Sequence, residues 1–374
     1  MPATVAYLDH NATSPLRPAA FDAMVEALKD GGNPSSVHRV GRAARARIDE
    51  ARRLVASLVG ALPTEIVFTS GGTEANNLAL KGAGRRRILV SAVEHDSVLN
   101  AMPSVETIPV DSEGVVDLGA LARMLAAPDL PALVSVMFAG NETGVLQPVA
   151  DVVRLARAAG ALVHCDAVQG AGKAAVDFHG LGVDYLSLSA HKLGGPAGAG
   201  ALVVRNGAPF ATDRRGGGQE SNRRAGTENG AGIAGFGAAA AEVARARLAV
   251  DGLRDRLESE LLKIAPQARI FGAGTRRLGN TTCISMPGVR AETQVMALDL
   301  AGVCVSAGAA CSSGKVSRSA VLAAMGVEPA LADTALRISL GWNSCGEDIE
   351  RLIAAWRGLY FRVTRSDMPR SQAA

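Results

Sequence analysis

The chain has 374 residues, 48% of them hydrophobic, with 42 glycines and a net charge of +3, the make-up of a well-packed globular protein long enough for two domains. Near-neutral charge and 3% aromatic content exclude a nucleic-acid binder that neutralises phosphates or stacks bases. No apolar run nears the ~20 residues of a membrane span, and the first nine residues lack a basic region followed by an apolar core, so a cytoplasmic protein without a membrane partner is expected.

Ala6 to Thr13 predict a short strand entering a polar turn. Pro15 and Pro18 open a helix with Phe21, Met24, Val25 and Leu28 on one face. Gly31, Gly32, Asn33 and Pro34 break it, in a loop that is either a plain turn or a source of backbone donors for an anion. An arginine-rich helix over 38–60 follows, apolar at Ile48, Leu54, Val55 and Leu58, its charge solvated or facing a subunit. A strand over 65–69 then turns through Ser70, Gly71, Gly72 and Thr73 directly into a helix that runs to Leu80. Free first-turn amides and the helix dipole make that junction an anion cradle. An ordinary threonine cap would account for Thr73 but not for the two glycines.

Strands are predicted at 87–92, 105–110, 132–138, 161–165, 185–189 and 201–204, with helices such as 118–126 and 149–159 between most of them. This alternation argues an α/β fold with a mainly parallel sheet between helices, which binds ligands beyond the carboxyl ends of its strands. Polar residues gather at those ends: His95, then Asn141 with Glu142, then Asp166 with Gln169, then Lys192. One shared site explains four such positions better than four separate structural roles. Gly170, Ala171, Gly172 and Lys173 fail as a phosphate loop, because Ala167 and Ala174 stand where glycine and a hydroxyl residue are required. Ser189, His191 and Lys192 suit a phosphorylated aldehyde: the lysine can form a Schiff base while Ser and His donate to the phosphate.

A glycine-rich, basic excursion over 216–229 is either a free loop or an arm reaching a neighbouring subunit's phosphate. Residues 231–264 read as helical and contain the domain boundary. A smaller α+β unit follows, with strands at 281–286, 303–306 and 335–340 and helices at 292–300, 318–325 and from 347. The expected division is a large domain of 14–250 and a small one of 1–13 with 251–374. Five scattered cysteines without C-x-x-C indicate a reducing compartment and no disulfide framework or zinc site. Cys165 and Cys283 lie in apolar strands as buried hydrophobes, whereas Cys311 stands among only Gly, Ala and Ser.

The stretches Y-L-D-H-N-A-T, G-N-P-S-S-V-H, F-T-S-G-G-T-E-A-N-N-L, E-H-D-S-V, N-E-T-G-V-L-Q-P, H-C-D-A-V-Q-G, S-A-H-K, G-G-G-Q-E, R-A-G-T-E-N and L-R-I-S-L-G occur in this order. With the Cys311 loop, they make nearly the whole chain resemble the NifS/IscS-type cysteine desulfurases, in the class V aminotransferase group of pyridoxal-phosphate enzymes. The resemblance implies fold type I of the PLP-dependent transferases, with a seven-stranded-type sheet in the large domain. It implies pyridoxal 5'-phosphate bound to Lys192, Asp166 on the pyridinium nitrogen, Gln169 on the phenolic oxygen with Asn141 nearby, and His95 over the ring moving protons. Gly72, Thr73, Ser189 and His191 would hold the phosphate, joined across a homodimer by Thr227. Arg337 and Asn33 would bind the substrate L-cysteine. Cys311 would take its sulfur as a persulfide and release alanine. An iron–sulfur scaffold or another acceptor would then receive the sulfur. No intrinsic metal is implied, only contact of the Cys311 persulfide with a transient iron–sulfur cluster. A selenocysteine lyase or a class V aminotransferase is the alternative, and the latter needs no thiol. Gly140, Trp342 and the short tail after Trp356 depart from the family pattern.

Overall fold

The computed structural model describes residues 5–126, 131–246, 248–308 and 318–366. Cys311 and its flanking small residues lie outside this set. The strands are β1 (Ala6–Tyr7), β2 (Ile66–Thr69), β3 (Arg87–Ser91), β4 (Glu106–Ile108), β5 (Ala132–Ser135), β6 (Leu162–Asp166), β7 (Tyr185–Ser189), β8 (Gly200–Val204), β9 (Thr281–Ser285), β10 (Val303–Cys304), β11 (Ser306–Ala307) and β12 (Ala335–Ser339). The α-helices are α1 (Pro18–Asp30), α2 (Arg39–Leu58), α3 (Gly72–Gly82), α4 (Asp96–Leu99), α5 (Leu118–Leu125), α6 (Val149–Ala158), α7 (Phe178–Leu181), α8 (Gly230–Arg245), α9 (Asp251–Ile264), α10 (Ala291–Leu300), α11 (Ala320–Ala324), α12 (Pro329–Ala332) and α13 (Gly346–Ser366).

Seven strands form one sheet in the order β2-β8-β7-β6-β5-β3-β4. Only β8 runs antiparallel to its neighbours. Side chains alternate between two faces: Leu89 joins a core with α2, α5, α6 and α8, while Ile88 and Val90 join a second core with α3 and α4. Apolar residues on both faces are why these strands read as nearly continuous hydrophobic runs. The chain runs from β3 outward to β4 and then returns to place β5 on the other side of β3. That reversal opens a crevice at the carboxyl ends of β3 and β5, where sheets of this kind bind ligands.

A separate core joins Ala6 and Leu8 with Leu257, Ile284, Leu298, Ile338, Ile349 and Trp356. Trp356 stacks on Tyr360 with ring centroids 5.8 Å apart. Here β9 and β11 flank β12 in a three-stranded antiparallel sheet, and β1 pairs with β10 in parallel. The N-terminal segment therefore packs with the C-terminal part of the chain.

Two expectations need correction. The helix over 231–264 is two helices, because α8 packs into the first core and Val250, just before α9, into the core of Ala6 and Trp356. The strand over 303–306 divides between two sheets, β10 serving β1 and β11 serving β12. The apolar face of α1 is partly covered: Phe21 is 56% exposed and Leu28 69%, while Met24 and Val25 are half-buried. Contact with α8 is made by Met24 of that face and by Ala20, where glycine allows close approach; a Cβ on Gly235 would lie 2.7 Å from Met24 Cγ.

Candidate active site

A cavity of about 320 Å³ opens at the carboxyl ends of the strands. It is lined by Gly72, Thr73, His95, Asn141, Asp166, Gln169, Ser189, His191, Lys192 and Arg337. Strand order explains the convergence, since β7, β6, β5 and β3 are adjacent and each delivers one polar group.

The anion cradle lies at the start of α3. Gly72 meets a steric requirement, because a Cβ there would come within 2.8 Å of Val168 Cγ2. Gly200 does too, since its Cβ would reach 2.6 Å from Gly71 Cα as β8 passes the turn. Ser189 Oγ is buried without a hydrogen-bond partner beside this helix end. An orphaned hydroxyl at a helix N-terminus fits a phosphate. His191 adds a ring whose Nδ1 lies 3.2 Å from Thr13 Oγ1. Burial and then the charges of Lys192 and Lys173 lower its pKa to about 4, so it is a neutral hydrogen-bonding group.

Asp166 is buried at the end of β6, with both carboxyl oxygens engaged. Val168 N donates to Oδ1 at 2.9 Å and Asn76 Nδ2 to Oδ2 at 2.7 Å. Burial and then Asp166 itself push the Glu94 carboxyl well up, and burial lowers His164 to about 4. His95 caps α4, its Nδ1 accepting from Ser97 N at 3.0 Å. That backbone donor leaves the proton of the neutral ring on Nε2.

Lys192 Nζ donates to the carbonyls of Asn11 and, at 2.7 Å, Ala12. Gln169 Nε2 donates to the same Asn11 oxygen at 2.9 Å. Arg337, only 1% exposed, donates from Nη2 to Asp9 Oδ1 at 2.9 Å and from Nη1 to Asn141 O at 3.3 Å. Its Nε is buried and has no partner. Behind Asn141, Ser319 Oγ donates to Glu142 Oε2 at 2.6 Å, and burial raises the Glu142 pKa to about 7.

One expected residue, Asn33, is not brought to this cavity. Asn33 is exposed, and its Oδ1 accepts from Ser35 N at 2.9 Å within its own turn. Thr227, expected to serve the neighbouring subunit's site, lines a separate recess of about 110 Å³ with Ser70, Arg224 and Asn229. The excursion that carries it is tied down, since Arg224 and Arg214 both pair with Glu74 of α3, at 3.0 and 3.1 Å. Asn11 and Asn76 line the cavity without having been anticipated. The position of Asn76, three residues after Thr73 on one helix face, was a usable signal. Nothing local marked Asn11, which acts across 181 residues.

Gly140 forms a tight turn, in which a Cβ would lie 3.0 Å from Thr143 Oγ1. Trp342 Nε1 donates to Pro15 O at 3.0 Å, and the Arg17 guanidinium lies 5.2 Å above its ring. Among the described residues no cluster of His, Cys, Asp and Glu could hold a metal ion, and no helix is long and apolar enough to cross a membrane.

The class V aminotransferase family model matches residues 6–352. A cysteine desulfurase of Cereibacter sphaeroides is 46% identical, the alignment covering 93% of each chain. An IscS-like cysteine desulfurase of Mycobacterium tuberculosis is 38% identical over 99% of this chain and 100% of its own. The solved structure of a NifS-like protein from Rickettsia africae superposes with a TM-score of 0.89 at 36% identity, covering 96% of this chain and 99% of that one. The cofactor of these enzymes is pyridoxal 5'-phosphate, and the orphaned Ser189 hydroxyl, the α3 cradle and the lysine–aspartate pair fit it. On fold, cavity and full-length similarity together, the chain belongs to the class V aminotransferase family of pyridoxal-phosphate enzymes.

Proposed function

We propose that the protein is a cysteine desulfurase that converts L-cysteine to L-alanine and leaves the sulfur on Cys311 as a persulfide. The observation that carries this reading is the placement of Lys192, Asp166 and Arg337 around one cavity whose far wall is an anion cradle. Bound there, pyridoxal phosphate supplies an electron sink for bonds at the substrate's α-carbon.

Lys192 holds the cofactor covalently, and the α3 amides with Thr73, Ser189 and His191 hold its phosphate. Asp166, fixed by Asn76 and Val168, keeps a proton on the ring nitrogen. Gln169 gives an N–H to the phenolic oxygen. His95 carries its proton on Nε2 toward the ring and its substrate. Arg337 takes the substrate carboxylate through the Nη hydrogens not used on Asp9 and Asn141. The Cys311 thiolate attacks the sulfur of cysteine, forming the S–S bond as the Cβ–S bond breaks. The electron pair of the broken bond and a proton end on alanine, so no outside oxidant is needed.

The division into a domain of 14–250 and one of 1–13 with 251–374 belongs to this proposal, with a cytoplasmic homodimer in which Thr227 serves the partner subunit's phosphate site. Exposure of Thr227, and of Phe21 and Leu28 on α1, supports the dimer. An iron–sulfur scaffold or another thiol protein would take the sulfur. Mixing Lys192→Ala with Thr227→Ala subunits is expected to restore activity in hybrid sites, and a fully active monomer in sedimentation would refute the dimer.

The function is tested on purified holoenzyme given L-cysteine and a thiol reductant. Alanine and sulfide are expected in equal amounts, with a change in the cofactor's visible spectrum. Transfer of the amino group to a 2-oxo acid without sulfide would instead make the protein an aminotransferase.

A further inference from the structure

The segment Gly170 to Lys173 looks like a phosphate loop and is not one. Its glycines have another purpose. A Cβ on Gly170 would lie 2.4 Å from Phe138 Cδ1, and Gly172 has φ +77 with a Cβ position 2.6 Å from Val243 Cγ1. Both keep the turn tight and pressed into the core, with Lys173 N and Ala174 N donating to Gly170 O at 3.1 and 2.9 Å. The turn carries Lys173 back beneath Gln169, four residues earlier. Lys173 Nζ donates to Gln169 Oε1 at 2.6 Å and to Asn11 Oδ1 at 2.7 Å.

Taking Gln169 as the partner of the cofactor's phenolic oxygen, which rests on the function proposed above, we propose that Lys173 is a positioning residue that fixes the Gln169 amide with its NH₂ turned to the cavity. A glutamine amide has two nearly isosteric orientations, one presenting oxygen and one presenting N–H. An ionised phenolic oxygen needs the N–H. Lys173 Nζ donates to both amide oxygens, and a donor at that place requires the Gln169 oxygen to face Lys173. Nε2 then faces Asn11 O and keeps its second N–H for an acceptor in the cavity. The same Lys173 Nζ fixes the Asn11 amide oxygen, which also accepts from Asn280 Nδ2 at 3.2 Å, while Asn11 Nδ2 donates to Thr281 Oγ1 at 2.9 Å. The Asn11 backbone oxygen, shared by Gln169 and Lys192, is thereby held in place.

The position is a costly one for a cation. Burial, then the charges of Lys192 and Arg337, push the Lys173 pKa well down.

The test is a pH titration of the visible absorption of the bound pyridoxal phosphate in holoenzyme variants. A donor to the phenolic oxygen favours its ionised form, so losing the donor raises the midpoint. Gln169→Leu and Lys173→Met are each expected to raise it by about one pH unit, a tenfold change in proton affinity. The double variant should move no further than Gln169→Leu alone. If Lys173→Met does not fold, Lys173→Gln carries the test, with a smaller rise in the same direction. An unmoved midpoint in the Lys173 variant, with a raised one in Gln169→Leu, would overturn the proposal. So would a full additional shift from Lys173→Met in the Gln169→Leu background, which would mean the charge acts directly. An unmoved midpoint in Gln169→Leu would instead remove the role of Gln169 itself, and the proposal with it.

Discussion

Asn76 Nδ2 donates to Asp166 Oδ2 at 2.7 Å, with both side chains buried between α3 and the end of β6. The helix that forms the anion cradle thus also aims the carboxylate. Asp166→Ala is expected to bind cofactor yet lose several kcal/mol of barrier reduction, as removal of a preorganised charge does. Asn76→Ala leaves the charge but frees its orientation, at an expected cost of about 1–3 kcal/mol, or roughly ten- to a hundredfold in turnover. Alanine formation from L-cysteine measures both. Wild-type rates in either variant would remove that residue from the mechanism.

Lys192→Ala is expected to abolish turnover and the covalent hold on the cofactor. Borohydride reduction followed by peptide mapping is the check. A reduced adduct at normal stoichiometry on another lysine, such as Lys173, would show the attachment to be misassigned.

Among the described cysteines, Cys165 and Cys283 are buried, and burial pushes both thiols well up. Their thiolates are scarce at neutral pH, and neither can leave its strand to meet an acceptor. Sulfur addition is therefore expected on Cys311 after incubation with cysteine. Cys311→Ser should still change the cofactor spectrum on adding cysteine but yield almost no sulfide. Mass spectrometry locating a stable extra sulfur on Cys165, Cys283, Cys304 or Cys345 alone would defeat this assignment.

His164 lies beneath the site, wholly buried, with Nδ1 2.8 Å from Ser135 Oγ and Nε2 2.9 Å from Ser187 Oγ. Burial lowers its pKa to about 4 from the ordinary 6.5. Between those values the unfolded chain binds the proton and the folded chain does not, so this group's contribution to stability falls as pH falls. A fully separated titration has a slope of about 1.4 kcal/mol per pH unit. His164→Gln, which keeps a donor and an acceptor for the two serines, should flatten stability against pH in that window by about this amount. Denaturant midpoints at several pH values decide it; parallel curves for the two proteins would rule out His164 as the titrating group.

The strand ends carrying His95, Asn141, Asp166 and Lys192 were legible in the linear chain. An apolar run followed by a polar turn is local information, and parallel strands place such turns on one edge. The glycines before Thr73 were legible for the same reason, as was the burial of Cys165 and Cys283 within apolar strands. Tertiary structure decided what acts through space. Asn11 reaches Lys192 and Gln169 only because β1 packs with the C-terminal part of the chain and delivers the following turn to the large sheet. Lys173 became a donor to Gln169 because the 170–172 turn folds it back, whereas the pattern alone marked only a failed phosphate loop. Asn33 falls outside the cavity because loop position depends on what the loop packs against, and no period in the sequence encodes that partner.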